Sequence, residues 1–176
     1  MKIFMWLIRI LAVLVLAFVA GGFLLPDRFE VKRKVTIQAT PEAIHAVLSD
    51  LRTWSEWSAW TADKDPTLQW QYEGPDQGVG QAMSWTGEEF GEGRLQITAS
   101  DLQTGLRYDL EFDGGEFRNQ GKFEYEVQDG QVEVRWIQEG TLDSMMQKWF
   151  GLMMDSMMGP DFEEGLAGLK AKLEGA

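Results

Sequence analysis

Apolar positions run unbroken at the start of the chain. Residues 3–25 read IFMWLIRILAVLVLAFVAGGFLL, and Arg9 is their only charge. A helix of this length can cross a hydrocarbon core of about 30 Å. It is apolar on every side, so it has no face suited to water. Residues 1–27 are therefore expected to be an N-terminal membrane anchor. Ala20, Gly21 and Gly22 are small enough for a signal-peptidase site, but Phe23-Leu24-Leu25 prolongs the run past them. That favours a retained segment, either anchor or uncleaved signal. Orientation stays open: Lys2 and Arg9 pull one way under the positive-inside rule, and Arg28, Lys32, Arg33 and Lys34 pull the other.

After Pro26-Asp27 the period changes to two. Phe29, Val31, Val35 and Ile37 alternate with polar residues, with Arg33 the exception on the apolar phase. This predicts a strand with one covered face. Thr40-Pro41-Glu42 then opens a helix, with a hydroxyl cap, a proline at the first helical position and an acid against the dipole. Ile44, Val47, Leu48 and Leu51 are its buried face. Trp54, Trp57 and Trp60 follow at three-residue spacing, which places them on one side of a short helical or tight-turn segment. Asp65-Pro66 breaks it.

Six further strands are expected. Their apolar phases are Leu68/Trp70/Tyr72, Met83/Trp85, Leu95/Ile97/Ala99, Leu106/Tyr108/Leu110/Phe112, Phe117/Phe123/Tyr125/Val127 and Val132/Val134/Trp136. Asp113-Gly114-Gly115 and Asp129-Gly130 are hairpin signals. From Leu142 the spacing turns helical and rich in methionine. Gly159-Pro160 is expected to interrupt it, with a restart at Asp161 carrying Phe162, Leu166, Leu169 and Leu173 on one face. Consecutive hairpins imply an antiparallel sheet. Because each strand alternates, one sheet face needs cover, and only the helices can supply it. The expected fold is α+β: a curved antiparallel sheet of about seven strands around a long C-terminal helix, in a domain spanning residues 28–176.

Charge and composition narrow the chemistry. Lys2 and Arg9 are the only charges before residue 26, so residues 26–176 carry 14 basic and 28 acidic groups, a net of −14. Such a surface does not suit nucleic acid, whose phosphates need a basic footprint. With no cysteine and one histidine, thiol nucleophiles, disulfides and the usual zinc clusters are excluded. The covered strand phases hold Arg33, Tyr72, Trp85, Tyr108, Asn119, Trp136 and Gln138 as polar groups, and no carboxylate or histidine. General acid–base catalysis needs a tuned titratable group beside the substrate. Here Glu124, Glu126, Glu133 and Glu139 fall on the solvent phase. His45 flanks the apolar stripe of its helix and reads as a surface histidine. Gly78-Val79-Gly80 and Gly91-Glu92-Gly93 lack the third glycine and the strand-to-helix context of a dinucleotide site. Glu88-Glu89 and Asp161-Glu163-Glu164 read as loop and helix-start acids before cation ligands. No cofactor, metal or catalytic residue is expected.

Several segments together resemble one superfamily. They are the Ala39-Thr40-Pro41-Glu42-Ala43-Ile44 junction, Trp54-Ser55-Glu56-Trp57-Ser58-Ala59-Trp60, Gly78-Val79-Gly80 through Trp85-Thr86-Gly87, and Phe162-Glu163-Glu164-Gly165-Leu166-Ala167-Gly168-Leu169-Lys170. In this order they resemble the helix-grip superfamily (SRPBCC). It includes START lipid-transfer domains, plant allergen-like steroid binders and polyketide cyclase-like proteins. The resemblance spans roughly residues 29–174. It implies a deep apolar cavity between sheet and C-terminal helix, used for hydrophobic ligands, and does not imply one reaction. The residues expected around such a ligand are Arg33, Tyr72, Met83, Trp85, Leu95, Tyr108, Phe112, Asn119, Phe123, Trp136, Gln138, Met153 and Met157. A membrane-tethered binder of a lipid or other hydrophobic small molecule is the leading expectation. A cyclase- or dehydrase-like enzyme, with Tyr108, Asn119 or Arg33 orienting a carbonyl, is the alternative. The third is an interaction module that presents Trp54, Trp57 and Trp60.

Overall fold

The computed structural model describes residues 2–115 and 117–175. Met1 and Ala176, the outer ends of the expected division, lie outside the described residues, as does Glu116. Helix α1 spans Lys2–Leu24, and residues 3–20 are all exposed on it. Then come β1 (Arg28–Ile37), α2 (Pro41–Leu48), a 3-10 turn (Leu51–Glu56), β2 (Gln69–Glu73), β3 (Ala82–Gly87) and β4 (Gly91–Asp101). The chain continues through β5 (Gly105–Phe112), β6 (Phe117–Gln128), β7 (Gln131–Thr141), α3 (Met145–Gly151) and α4 (Met154–Glu174).

The seven strands form one antiparallel sheet in the order β1-β7-β6-β5-β4-β3-β2. This is the single antiparallel sheet of seven strands expected from the consecutive hairpins and the alternation of the strands, and it fits the helix-grip fold that the resemblance implies. Local chemistry fixes its corners. The Thr40 hydroxyl accepts from the Ala43 N–H at 3.3 Å and caps α2. Asp129 and Gly130 both have positive φ, 50° and 78°, which is the two-residue hairpin turn whose twist matches the strands it joins.

One element differs from expectation. Helix α4 runs unbroken through Pro160, and the break falls earlier, between Gly151 and Met154. Pro160 and Ser156 are both exposed. The carbonyl that loses its intrahelical donor to the proline is therefore on the solvated side, where water satisfies it.

Helix α4 lies across the concave face and along β1. Phe162, Gly165, Leu166 and Leu169 are its buried side. The Phe162 ring stacks on Trp136 of β7 with centroids 4.0 Å apart. Glycines set the approach: a Cβ at Gly165 would press on the Trp136 ring, and one at Gly168 would collide with the Trp57 carbonyl. On the β1 side, Arg33 donates to Glu163 at 2.7 Å and to Asp155 at 2.8 Å, and Lys170 donates to the Thr36 carbonyl at 2.8 Å. The two carboxylates hold the guanidinium strongly in its charged form. Arg33 thus clamps helix to edge strand.

Gly168→Ala places a methyl against fixed backbone. It is expected to cost about 1–3 kcal/mol, as overpacking does. Thermal unfolding of the full chain in detergent would record this as a lowered midpoint, with Ala167→Gly as the comparison at an exposed neighbour.

Candidate functional site: a cavity under the helical corner

A cavity of about 790 Å³ lies at one end of the sheet. Its floor is the end of β5 and the start of β6, with Phe112, Phe117 and Asn119, and Trp136 from β7. One wall is the segment Ser58–Trp60, and another is the β3–β4 turn around Glu89 and Phe90. Helix α3 and the first turns of α4 roof it, through Met146, Trp149, Phe150, Met154, Met157, Met158 and Phe162. Glu89, Glu92 and Asp113 at its edge are exposed, and Asp161 is half-buried. The carboxylates that reach the cavity therefore belong to its rim. The interior is aromatic and methionine-rich, as small-molecule pockets commonly are.

Polar groups behind the floor form one ordered chain. Tyr108 pairs with Gly121 across β5 and β6, and any Cβ at Gly121 would collide with the phenol ring. The notch lets Tyr108 lie flat across β6 and reach β7. There its hydroxyl accepts from Trp136 Nε1 at 2.8 Å and donates to Gln138 Oε1 at 2.7 Å. Gln138 Nε2 in turn donates to Asn119 Oδ1. An indole N–H can only donate, so the Tyr108 oxygen accepts there and its own proton goes to Gln138 Oε1, which leaves Gln138 Nε2 to donate onward. The chain of bonds ends on Asn119 Nδ2, a buried donor with no partner among the described residues. Burial pushes the Tyr108 hydroxyl pKa well above its ordinary value, against a smaller opposing effect of the Trp136 bond. The phenol stays neutral and committed to the network.

The expected ligand residues thus separate by position. Phe112, Asn119, Trp136 and Met157 line the cavity. Tyr108 and Gln138 stand behind it, joined to it through Trp136 and Asn119. Met83, Leu95 and Phe123 are packed in the main core. Trp85 braces a wall: Trp60 stacks on it at 5.5 Å, Phe112 meets it edge-on at 5.7 Å, and its Nε1 donates to the Phe90 carbonyl at 3.4 Å. Tyr72 is half-buried away from the cavity, under the Arg52 guanidinium at 5.8 Å. Arg33 lies outside, in its clamp on α4, and Met153 is exposed at the α3–α4 corner. Arg33 sat on the apolar phase because β1 is an edge strand, and the helix beside it supplies acids instead of apolar cover.

Two other readings change. Trp54 and Trp57 are buried and Trp60 is half-buried against Trp85, so they do not form an exposed aromatic anchor. His45 is half-buried, with Nδ1 3.3 Å from the Tyr125 hydroxyl and Nε2 3.1 Å from the Ser100 hydroxyl. It is remote from the cavity, and burial lowers its pKa. Asp161 and Glu164 pair with Lys64, and Glu163 with Arg33.

The profile of the family described as polyketide cyclase / dehydrase and lipid transport matches residues 28–174. The chain belongs to that family. Solved structures with the same fold include the Aha1 dimer protein of Colwellia psychrerythraea, 17% identical with a TM-score of 0.56, covering 82% of this chain and 96% of that one. CV1439 of Chromobacterium violaceum is 16% identical with a TM-score of 0.58, covering 85% and 99%. The hypothetical protein jhp0584 of Helicobacter pylori is 12% identical with a TM-score of 0.60, covering 82% and 87%. No curated protein matches the chain by sequence. A polyketide cyclase / dehydrase and lipid transport domain is in keeping with a hydrophobic ligand-binding cavity.

Sequence reasoning passed over Asp65 as a chain break. In the structure it is fully buried and anchors the wall. Oδ1 accepts from the Thr67 hydroxyl at 2.6 Å and the Thr67 N–H at 3.0 Å; Oδ2 accepts from the Glu89 and Phe90 N–H groups at 3.0 and 3.2 Å. The Asp-x-Thr spacing is an Asx-turn signal that was present in the sequence. These donors, the Thr67 hydroxyl first, hold the carboxyl below its usual pKa against the opposing effect of burial. A carboxylate with a depressed folded pKa stabilises fully above its unfolded value, about 3.9, and progressively less as pH falls towards the folded pKa. Asp65→Asn turns amide hydrogens onto donors. It is expected to lower the melting temperature at neutral pH and to flatten the acid limb of the stability curve below about pH 4. Thermal melts of both proteins across pH would measure this.

Proposed function

We propose that the protein is a membrane-tethered binding domain for a lipid or similar apolar small molecule. The observation that carries this reading is the 790 Å³ aromatic and methionine-lined cavity, roofed by α3 and placed directly beside the apolar helix α1. Its volume suits a ligand of drug or single-acyl-chain size. Methionine side chains are flexible and polarizable, and adapt to apolar partners of varied shape. The polar end of the network adds direction. Asn119 belongs to the floor, and its Nδ2 is a buried donor without an acceptor among the described residues, which costs about 1–3 kcal/mol. A ligand whose carbonyl, ester or carboxylate oxygen displaces the cover of this amide relieves that cost, and a plain hydrocarbon does not.

The same donor favours a second reading, as a cyclase or dehydrase, because polarising a carbonyl is a step in such chemistry. The two separate on whether the bound compound leaves with its mass unchanged.

Native mass spectrometry of the full chain released from detergent should find an apolar compound bound. A cavity empty after exposure to fatty acids, sterols and quinones would overturn the binding reading. Asn119→Ala should weaken an oxygen-bearing ligand about tenfold, the equivalent of roughly 1.4 kcal/mol, and leave a hydrocarbon ligand unaffected.

A further inference from the structure

The roof of the cavity packs directly on α1. Trp149 of α3 donates its Nε1 to the Phe18 carbonyl at 3.2 Å, and its ring stacks on Phe18 at 5.3 Å. Gly21 and Gly22 permit this: a Cβ on the first would meet the Trp149 ring, and one on the second would press on Met145. Met145 therefore sits beside Gly22, and Trp149 reaches back to Phe18. As α3 proceeds it descends along α1, away from the domain.

The depth follows from the helix rise. Phe18 is six residues, roughly 9 Å, inside the end of α1 at Leu24. The 23 residues of α1 rise about 34 Å, only some 4 Å more than a hydrocarbon core of about 30 Å. Even with all of that surplus on the domain side, the Phe18 carbonyl stays about 5 Å within the apolar layer. The surface of the descending segment agrees. Met146, Phe150, Leu152, Met153 and Met157 are large, apolar and exposed, and they surround the turn between α3 and α4. Lys148 is the only charged residue of α3, with a stem long enough to reach the headgroups. Asp155, in the first turn of α4, is paired with Arg33.

We infer that the α3–α4 corner is sunk into the bilayer leaflet on the domain's side, and that the cavity opens to lipid there. Met146, Phe150 and Met157 are at once exposed and part of the cavity lining, so they form the apolar side of the mouth, next to α1, and Glu89, Glu92 and Asp113 form its polar side. The occupant of this patch is the acyl region of the leaflet, because the patch is continuous with a helix of matching polarity. A ligand then passes laterally between leaflet and cavity. This rests on reading α1 as a membrane span.

The absence of cysteine makes the test clean. Single variants Phe150→Cys, Met153→Cys and Val13→Cys of the full chain would be spin-labelled in phosphatidylcholine vesicles. Val127→Cys serves as the aqueous reference. Val127 is exposed near the far end of β6, ten residues or roughly 33 Å from Phe117 beside the cavity. Labels at 150 and 153 are expected to be several-fold more accessible to oxygen relative to a water-soluble nickel chelate than the label at 127. Values at 150 and 153 equal to that at 127, with position 13 in lipid, would overturn the sunken corner and leave the tether standing. Position 13 reading as aqueous would overturn both. Neither result depends on whether the cavity holds a ligand.

Discussion

Trp136 is the contact on which the layers depend. Its ring stacks on Phe162 of α4 on one side and on Phe123 of β6 on another, at 4.0 and 4.9 Å. Trp54 and Trp57 meet it edge-on at 6.2 and 5.8 Å. Its N–H starts the polar chain that orients Tyr108, Gln138 and Asn119. One side chain therefore joins sheet, helix and tryptophan turn, and stands at the head of the chain of bonds that ends on the buried Asn119 Nδ2. A large ring with one donor is suited to this, because area burial and direction come from the same residue.

The cavity exists because cover over the sheet is uneven. Where Gly165 and Gly168 let α4 approach, helix and sheet close into a packed core. Beyond the bend at Gly151–Met153 the chain turns towards α1, and α3 packs on Gly21 and Gly22. The end of the sheet around Phe112, Phe117 and Asn119 is then roofed at a distance. Close packing of a core leaves few such voids. This one is kept open by two helices that answer to different partners.

Acidity has a similarly local meaning. The net of −14 over residues 26–176 is spread over solvent-facing strand positions and the helix flank. Several of its members are paired: Glu133 with Lys34 and Arg135, Asp155 and Glu163 with Arg33, Glu164 with Lys64. The carboxylate with the densest set of donors, Asp65, serves architecture by holding the β3–β4 turn that forms a cavity wall.

Local pattern alone, an unbroken apolar run, a capping triplet and the periods of two and 3.6, determined the anchor-like helix, all seven strands, the capped α2 and the long C-terminal helix. A period of two or 3.6 is a statement about one element's own faces, and it survives whatever packs against them. It also brought Phe112, Asn119, Trp136 and Met157 into consideration. It could not separate them from Met83, Leu95 and Phe123, because a cavity wall and a core have the same polarity. Only the tertiary structure decided which covered positions face a void. It also placed the helix break at Gly151–Met153 instead of Pro160, gave Arg33 to α4, buried Asp65 and set Trp149 against Phe18. Each of these depends on a partner more than ten residues away or on which side of a helix meets water, and no local pattern carries that information.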